Sequence, residues 1–222
     1  MPIIAIGDGA SDHSSNLYMF TYGNGTVSNV VHIGETGAVM LDVAINRAEN
    51  PWGRVFAISE FGALYSIDLT TAASTYIGST GLVLSALEFC NGTLYGWGDN
   101  LLVAIDPTNA QTTLLGRPTW NASGDLMCTP TGLWGIALSR TGGNDTLVQF
   151  TGTVDNTPVG IDLPGKEFYG GVVDGEGTMF VARKSGRSSA TLYIVSGGTV
   201  TAVSTFVTGN GLYGLTTYPA AW

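Results

Sequence analysis

Short apolar runs, rich in Val, Ile, Leu, Tyr and Phe and closed by Gly, Asn or Asp, follow one another along almost the whole chain. Such runs bounded by turn residues read as β-strands. One of them recurs five times: Leu17-Tyr18-Met19-Phe20, Leu64-Tyr65-Ser66-Ile67, Leu102-Val103-Ala104-Ile105, Leu147-Val148-Gln149-Phe150 and Leu192-Tyr193-Ile194-Val195. The leading leucines stand 38 to 47 residues apart, which suits the roughly 40 to 45 residues of one propeller blade.

Around four of these anchors the same order of four strands repeats. The third unit reads SALEFC, the Asn91-Gly92 turn, TLYGWG, LLVAID and TTLLG. The second reads LDVAIN, RVFAIS, LYSID, STYIG; the fourth GDLMC, GLWGIA, TLVQF, TPVGID; the fifth YGGVVD, TMFVAR, TLYIV, STFVTG. The first unit has three strands, at 3–7, 16–20 and 29–34, and lacks an innermost one. YGLTTY at 213–218 matches that missing strand and has no unit after it. Pairing it with residues 3–7 completes a fifth blade and removes two open sheet edges. The expected fold is all-β: one five-bladed β-propeller over residues 1–222, with four-stranded antiparallel blades and a ring closed by pairing the C-terminal with the N-terminal strand. Its blades cover 212–222 plus 1–37, 38–80, 81–118, 119–164 and 165–211.

The units resemble bacterial and phage β-propeller repeats of the form G-x-L-Y-x-I-D-x-x-T-x-x-x-x-x-I-G. GALYSIDLTTAASTYIG (62–78) carries the pattern, and LLVAIDPTNAQTTLLG (101–116) follows it more loosely. The resemblance spans essentially the whole chain and implies architecture, because propellers host hydrolases, lectins and scaffolds alike.

Charge removes several functions. Eight Lys and Arg against seventeen Asp and Glu leave a net charge of -9, which opposes binding to nucleic acid or an anionic membrane. Charged residues make up 11% of the chain, so its surface is built from Thr, Ser, Asn, Gly and backbone. Such a surface suits a protein partner in an assembly or a neutral glycan. No apolar run reaches the roughly 18 residues of a membrane span. The first twenty residues lack a basic leader, so no secretory signal and synthesis in the cytoplasm are expected.

The aromatics Phe56, Tyr95, Trp134 and Phe180 share one strand position, with Tyr18, Tyr65 and Tyr193 on the next strand. Fixed registers of this kind read as blade-to-blade packing. Trp52, Trp120 and Trp222 fall in connections; Trp52 and Trp120, with Asp42 near the channel mouth, are the candidate binding residues. Asp42, Glu88, Asp125 and Asp174 lie on or beside innermost strands, where a propeller glycosidase would carry its acid pair. Counted back from the second strands their registers differ, so these acids are expected to be dispersed. His13 and His32 have no clustered ligands around them, so no metal and no cofactor are expected. Cys90 and Cys128 end innermost strands of adjacent blades, which makes a disulfide conceivable, but their registers lie one residue apart, which favours two buried free thiols. The four Asn-x-Ser/Thr sites, at Asn24, Asn91, Asn121 and Asn144, read as turn chemistry.

Two functions follow from different classes. The first is a non-enzymatic interaction or scaffold propeller: a virion structural, decoration or host-glycan-binding protein of phage type, made in the cytoplasm and released by lysis. The second is a glycoside hydrolase or lyase that uses channel carboxylates.

Overall fold

A computed structural model describes residues 1–8, 13–48, 53–138, 142–150, 160–186, 188–207 and 212–217. Among these residues, twenty strands form five four-stranded antiparallel sheets. Blade 1 runs β20 (Leu212–Thr217), β1 (Pro2–Asp8), β2 (Ser15–Gly23), β3 (Thr26–Glu35). Blade 2 is β4 (Met40–Asn46), β5 (Arg54–Ser59), β6 (Ala63–Ile67) and β7 (Ser74–Ser79), from the channel outward. Blade 3 is β8 (Ala86–Cys90), β9 (Thr93–Gly98), β10 (Leu101–Ile105) and β11 (Thr112–Gly116). Blade 4 comprises β12 (Ala122–Thr129), β13 (Gly132–Ala137), β14 (Thr146–Gln149) and β15 (Gly160–Asp162). Blade 5 comprises β16 (Phe168–Val173), β17 (Met179–Lys184), β18 (Ser189–Ser196) and β19 (Thr199–Val207). The structure is thus a five-bladed β-propeller, and no helix occurs among the described residues.

The ring closes through β20 on β1, with Ile3 opposite Thr217, Ile4 opposite Thr216, Ala5 opposite Leu215 and Ile6 opposite Gly214. Strand side chains alternate between the two faces of each blade, so the hydrophobic core divides into five wedges. Phe56, Ile58 and Leu64 of blade 2 meet Leu84, Leu87 and Leu94 at the 2/3 junction. Val55 and Ala57, one residue out of phase, face blade 1 and pack with Ile4, Ile6 and Leu17. Trp134 fills the 4/5 wedge and Phe180 the 5/1 wedge, while Tyr95 is partly buried in the 3/4 wedge. The aromatic repeat is therefore packing.

The sequence motif acquires a mechanical meaning at the rim. Asp68 and Asp106 begin tight loops after β6 and β10: their Oδ1 atoms accept the N–H and hydroxyl of Thr70 and of Thr108. Each loop ends on a fully buried alanine, Ala72 or Ala110, with φ near +60°. Ala72 lies beneath Gly34 of blade 1, and Ala110 beneath Gly78 of blade 2. A Cβ at Gly34 would stand 2.9 Å from the Thr71 carbonyl oxygen, and one at Gly78 would stand 2.5 Å from that of Asn109. The glycine closing one repeat is thus the seat for the Asp-led loop of the next.

The cysteines correct the sequence reading. Cys90 and Cys128 form a disulfide across the 3/4 junction, with their Cα atoms 5.2 Å apart. The one-residue register offset that argued for free thiols is what makes the bridge. Cys90 points forward from blade 3 into the 3/4 wedge, whereas Phe89 points back to blade 2. Cys128 holds the register of Phe89, since Phe89 pairs with Leu94 and Cys128 with the equivalent Leu133. It therefore points back to blade 3 and meets Cys90 face to face.

Candidate functional site

Four of the five inner strands carry a bulge near their N-terminal ends. The register skips Leu41 in β4, Ser123 to Asp125 in β12, Tyr169 in β16 and Tyr213 in β20. A bulge leaves one residue outside the ladder and re-aims its side chain. Leu41, Ser123, Gly124, Tyr169 and Tyr213, together with Ser85 just before the regular β8, line a cavity of about 240 Å³ at one end of the channel. Every blade contributes to this mouth. The rings of Tyr169 and Tyr213 lie 5.8 Å apart, inclined at 49°. Burial pushes both phenols above their ordinary range, and the hydrogen bond from Tyr213 to Asp8 adds to the rise for Tyr213. Both remain protonated hydrogen-bond donors at neutral pH.

One residue deeper, the inner strands occupy a common level: Asp42 opposes Ile58, Ala86 opposes Trp97, Gly170 opposes Ala182 and Gly214 opposes Ile6. Small residues at this level leave room for two carboxyls. Asp42 and Asp125 are fully buried, and their carboxyls face and influence each other. Asp42 accepts the N–H of Val43 at 2.8 Å and that of Leu87 at 2.7 Å. Asp125 Oδ2 accepts the N–H of Gly171 at 2.9 Å and that of Leu215 at 3.0 Å. Two side chains thus tie together β4, β8, β12, β16 and β20, one strand from each blade. A Cβ at Gly214 would stand 2.0 Å from Asp42 Oδ1, so glycine is required there.

Burial first, and for Asp125 the neighbouring charge of Asp42 next, push both carboxyls well above the ordinary carboxylate range. Asp125 Oδ1 has no hydrogen-bond partner among the described residues. The pair holds a proton between them, since two facing carboxylates in a desolvated site do not both ionise. Glu88, 8% exposed, is raised by burial and by the charge of Asp125, and is lowered by Arg47.

The acids expected to be dispersed are therefore partly gathered. Asp42 and Asp125 meet on the channel axis with Glu88 nearby, because the bulges in β4 and β12 bring them to one level. Asp174 stays apart and accepts the N–H groups of Glu176 and Thr178 in the turn after β16. Of the three candidate binding residues, Asp42 lies beneath the mouth, sealed in the carboxyl pair. Trp120 packs partly buried against the 3/4 wedge, and Trp52 lies outside the described residues. Sequence reasoning missed Tyr169, Tyr213, Leu41 and Ser123. A signal existed for the two tyrosines, in the Tyr-Gly pairs Tyr169-Gly170 and Tyr213-Gly214 that open two inner strands. The groups of His, Cys, Asp and Glu among the described residues form no metal-binding cluster.

No family model matches the chain, and no curated protein matches it in sequence. Solved structures share its fold. A chain of the nidogen/laminin complex aligns over 99% of this chain and 85% of its own length, at 10% identity and a TM-score of 0.58. A Bacteroides thetaiotaomicron protein of unknown function aligns over 96% of this chain and 64% of its own, at 13% identity and a TM-score of 0.57. The PQQ-bound aldose sugar dehydrogenase of Streptomyces coelicolor aligns over 78% and 69%, at 13% identity and a TM-score of 0.51. At such identities the likeness concerns the β-propeller fold, which binding proteins and enzymes share.

Proposed function

We propose that the chain is a non-enzymatic interaction propeller whose channel mouth seats a sugar unit of a glycan, as in a host-binding or decoration protein of a virion. The observation that carries this reading is the use to which the channel acids are put. Asp42 and Asp125 are sealed from solvent and hydrogen-bonded to backbone N–H groups of neighbouring strands. A glycosidase instead needs two carboxyls flanking an accessible bond. Above them the mouth offers two tyrosine rings and the hydroxyls of Ser85 and Ser123, the combination of flat apolar faces and neutral hydrogen-bonding groups that suits a sugar ring. The Cys90–Cys128 bridge suits a working life in oxidising surroundings after release from the cytoplasm.

A protein partner in an assembly is the second reading. Phe61, Val83 and Leu138, 81%, 51% and 47% exposed, lie in connections at the same end of the blades as the mouth. A glycan array and a hydrolysis screen on one protein preparation test both. Binding without turnover, lost in Tyr213→Ala, is expected. Release of sugar would restore the hydrolase reading, and an array without any signal would leave the protein partner.

A further inference from the structure

Four of the eight cationic residues of this acidic chain, Lys166, Arg183, Lys184 and Arg187, fall in one short stretch of blade 5. Arg187 lies outside the described residues. Arg183 and Lys184, at the end of β17, line a cavity of about 590 Å³ together with Glu167, Ser185, Thr191 and Tyr193. This cavity adjoins the mouth: Lys184 Nζ stands 6.0 Å from the centre of the Tyr213 ring.

The site is built around the guanidinium. Arg183 Nε donates to the Lys166 carbonyl at 3.0 Å, and its Cζ lies 6.0 Å from the centre of the Phe168 ring. Gly165 admits it, since a Cβ there would stand 2.8 Å from Arg183 Cζ. A planar guanidinium with a fixed orientation presents a fork that matches a carboxylate. Beside it runs a hydroxyl ladder, Ser185 Oγ to Thr191 Oγ1 at 2.5 Å and Thr191 Oγ1 to Thr205 Oγ1 at 2.9 Å. Glu167 on the rim offsets one of the two positive charges, so the cavity favours a single negative charge rather than a polyanion.

We infer that the ligand of the channel mouth is an acidic saccharide, whose carboxylate is held by Arg183 and Lys184 while its ring lies against Tyr213. This deepens the glycan-binding reading and rests on it. A neutral glycan uses the mouth alone; a uronate-type sugar spans the mouth and the basic cavity. Against a net charge of -9, an anion gains only from such local positive charge, so the preference weakens as salt is added.

The test titrates the isotope-labelled full chain, followed by NMR, with three probes: a disaccharide ending in glucuronic acid, its counterpart ending in glucose, and inorganic phosphate. The uronate form is expected to bind at least about fivefold tighter than the glucose form at low salt. Arg183→Gln should bring the two to parity, and Arg183→Lys, which keeps the charge but loses the fork, should fall between. Tyr213→Ala should weaken both sugars. Equal binding of both sugars by the parent chain overturns the acidic preference and leaves the binding propeller intact. Phosphate displacing the uronate sugar with equal affinity overturns it too, by reducing the cavity to a general anion site. Failure of both sugars to bind removes the glycan reading itself. If Arg183→Gln does not fold, the sugar ratio in Lys184→Gln decides, with unchanged selectivity counting against the inference.

Discussion

Among the described residues, blade junctions 1/2 and 2/3 show a contact at the rim, and junction 3/4 shows a bond near the channel. The first two use the rim: an Asp-led loop ending on a buried alanine sits beneath a glycine of the preceding blade. At the third, the repeat has lost its aspartate, with Phe150-Thr151 standing where Ile67-Asp68 and Ile105-Asp106 stand in the earlier blades. There the bond is covalent and close to the channel, through Cys90 and Cys128. Further in, the Asp42–Asp125 pair crosses between blades 2 and 4 and owes nothing to the repeat. The contrast teaches that backbone fit repeated from blade to blade and a few specific long-range ties hold one ring together.

If those ties dominate, the largest loss should come from the centre. Asp125→Ala removes the acceptor for two N–H groups and leaves Asp42 without its partner, so a loss of about 3 to 5 kcal/mol in urea unfolding is expected. Asp125→Asn keeps an oxygen for the N–H groups and an amide for Asp42, and should lie within about 1 kcal/mol of the parent at neutral pH. The pair also sets a pH slope. Its folded pKa values are raised, so the folded state keeps a proton that the unfolded chain releases near pH 4. Stability therefore falls as pH rises from there toward the folded values, and Asp125→Asn should flatten that fall in urea melts at pH 5 and pH 9.

Next in size is the bridge: Cys90→Ser, or reduction of the parent, should cost about 2 to 4 kcal/mol. A reduced chain that unfolds at the same urea concentration would deny junction 3/4 its covalent seal. Gly78→Ala should cost about 1 to 3 kcal/mol, because its Cβ would meet backbone rather than a yielding side chain. Combined with Cys90→Ser the losses should add, since the rim and the channel end share no partners. The smallest effect belongs to Asp106→Ala, seen as a slight drop in melting temperature that is present above about pH 4 and fades at lower pH. Thr108 holds Asp106 below the ordinary carboxylate range, so its contribution is present above the unfolded pKa and disappears as pH falls through the folded value. Rim and centre should thus respond to pH with opposite signs.

Much of the architecture was legible along the chain because it rests on local periodicity. The recurrent Leu-led strand, the aromatic register through Phe56 and Trp134, and the unpaired strand at 213–218 all follow from alternation and spacing. The disulfide was hidden by a sign: side chains that face each other across a junction belong to opposite faces of their strands, so the offset between Cys90 and Cys128 is a condition for contact. The carboxyl pair was hidden by bulges, which change the register without a distinctive residue. Tyr169 and Tyr213 reached the mouth by the same device.

The amino-acid sequence by itself determined five units, their strand order and the closing of the ring, since each unit exposes an apolar face that only a neighbour can cover. The tertiary structure decided what stands at the centre. Residues in blades 2 and 4, or 1 and 5, come together there only after the ring has closed, and no local pattern encodes the meeting of Asp42 with Asp125 or of Tyr169 with Tyr213.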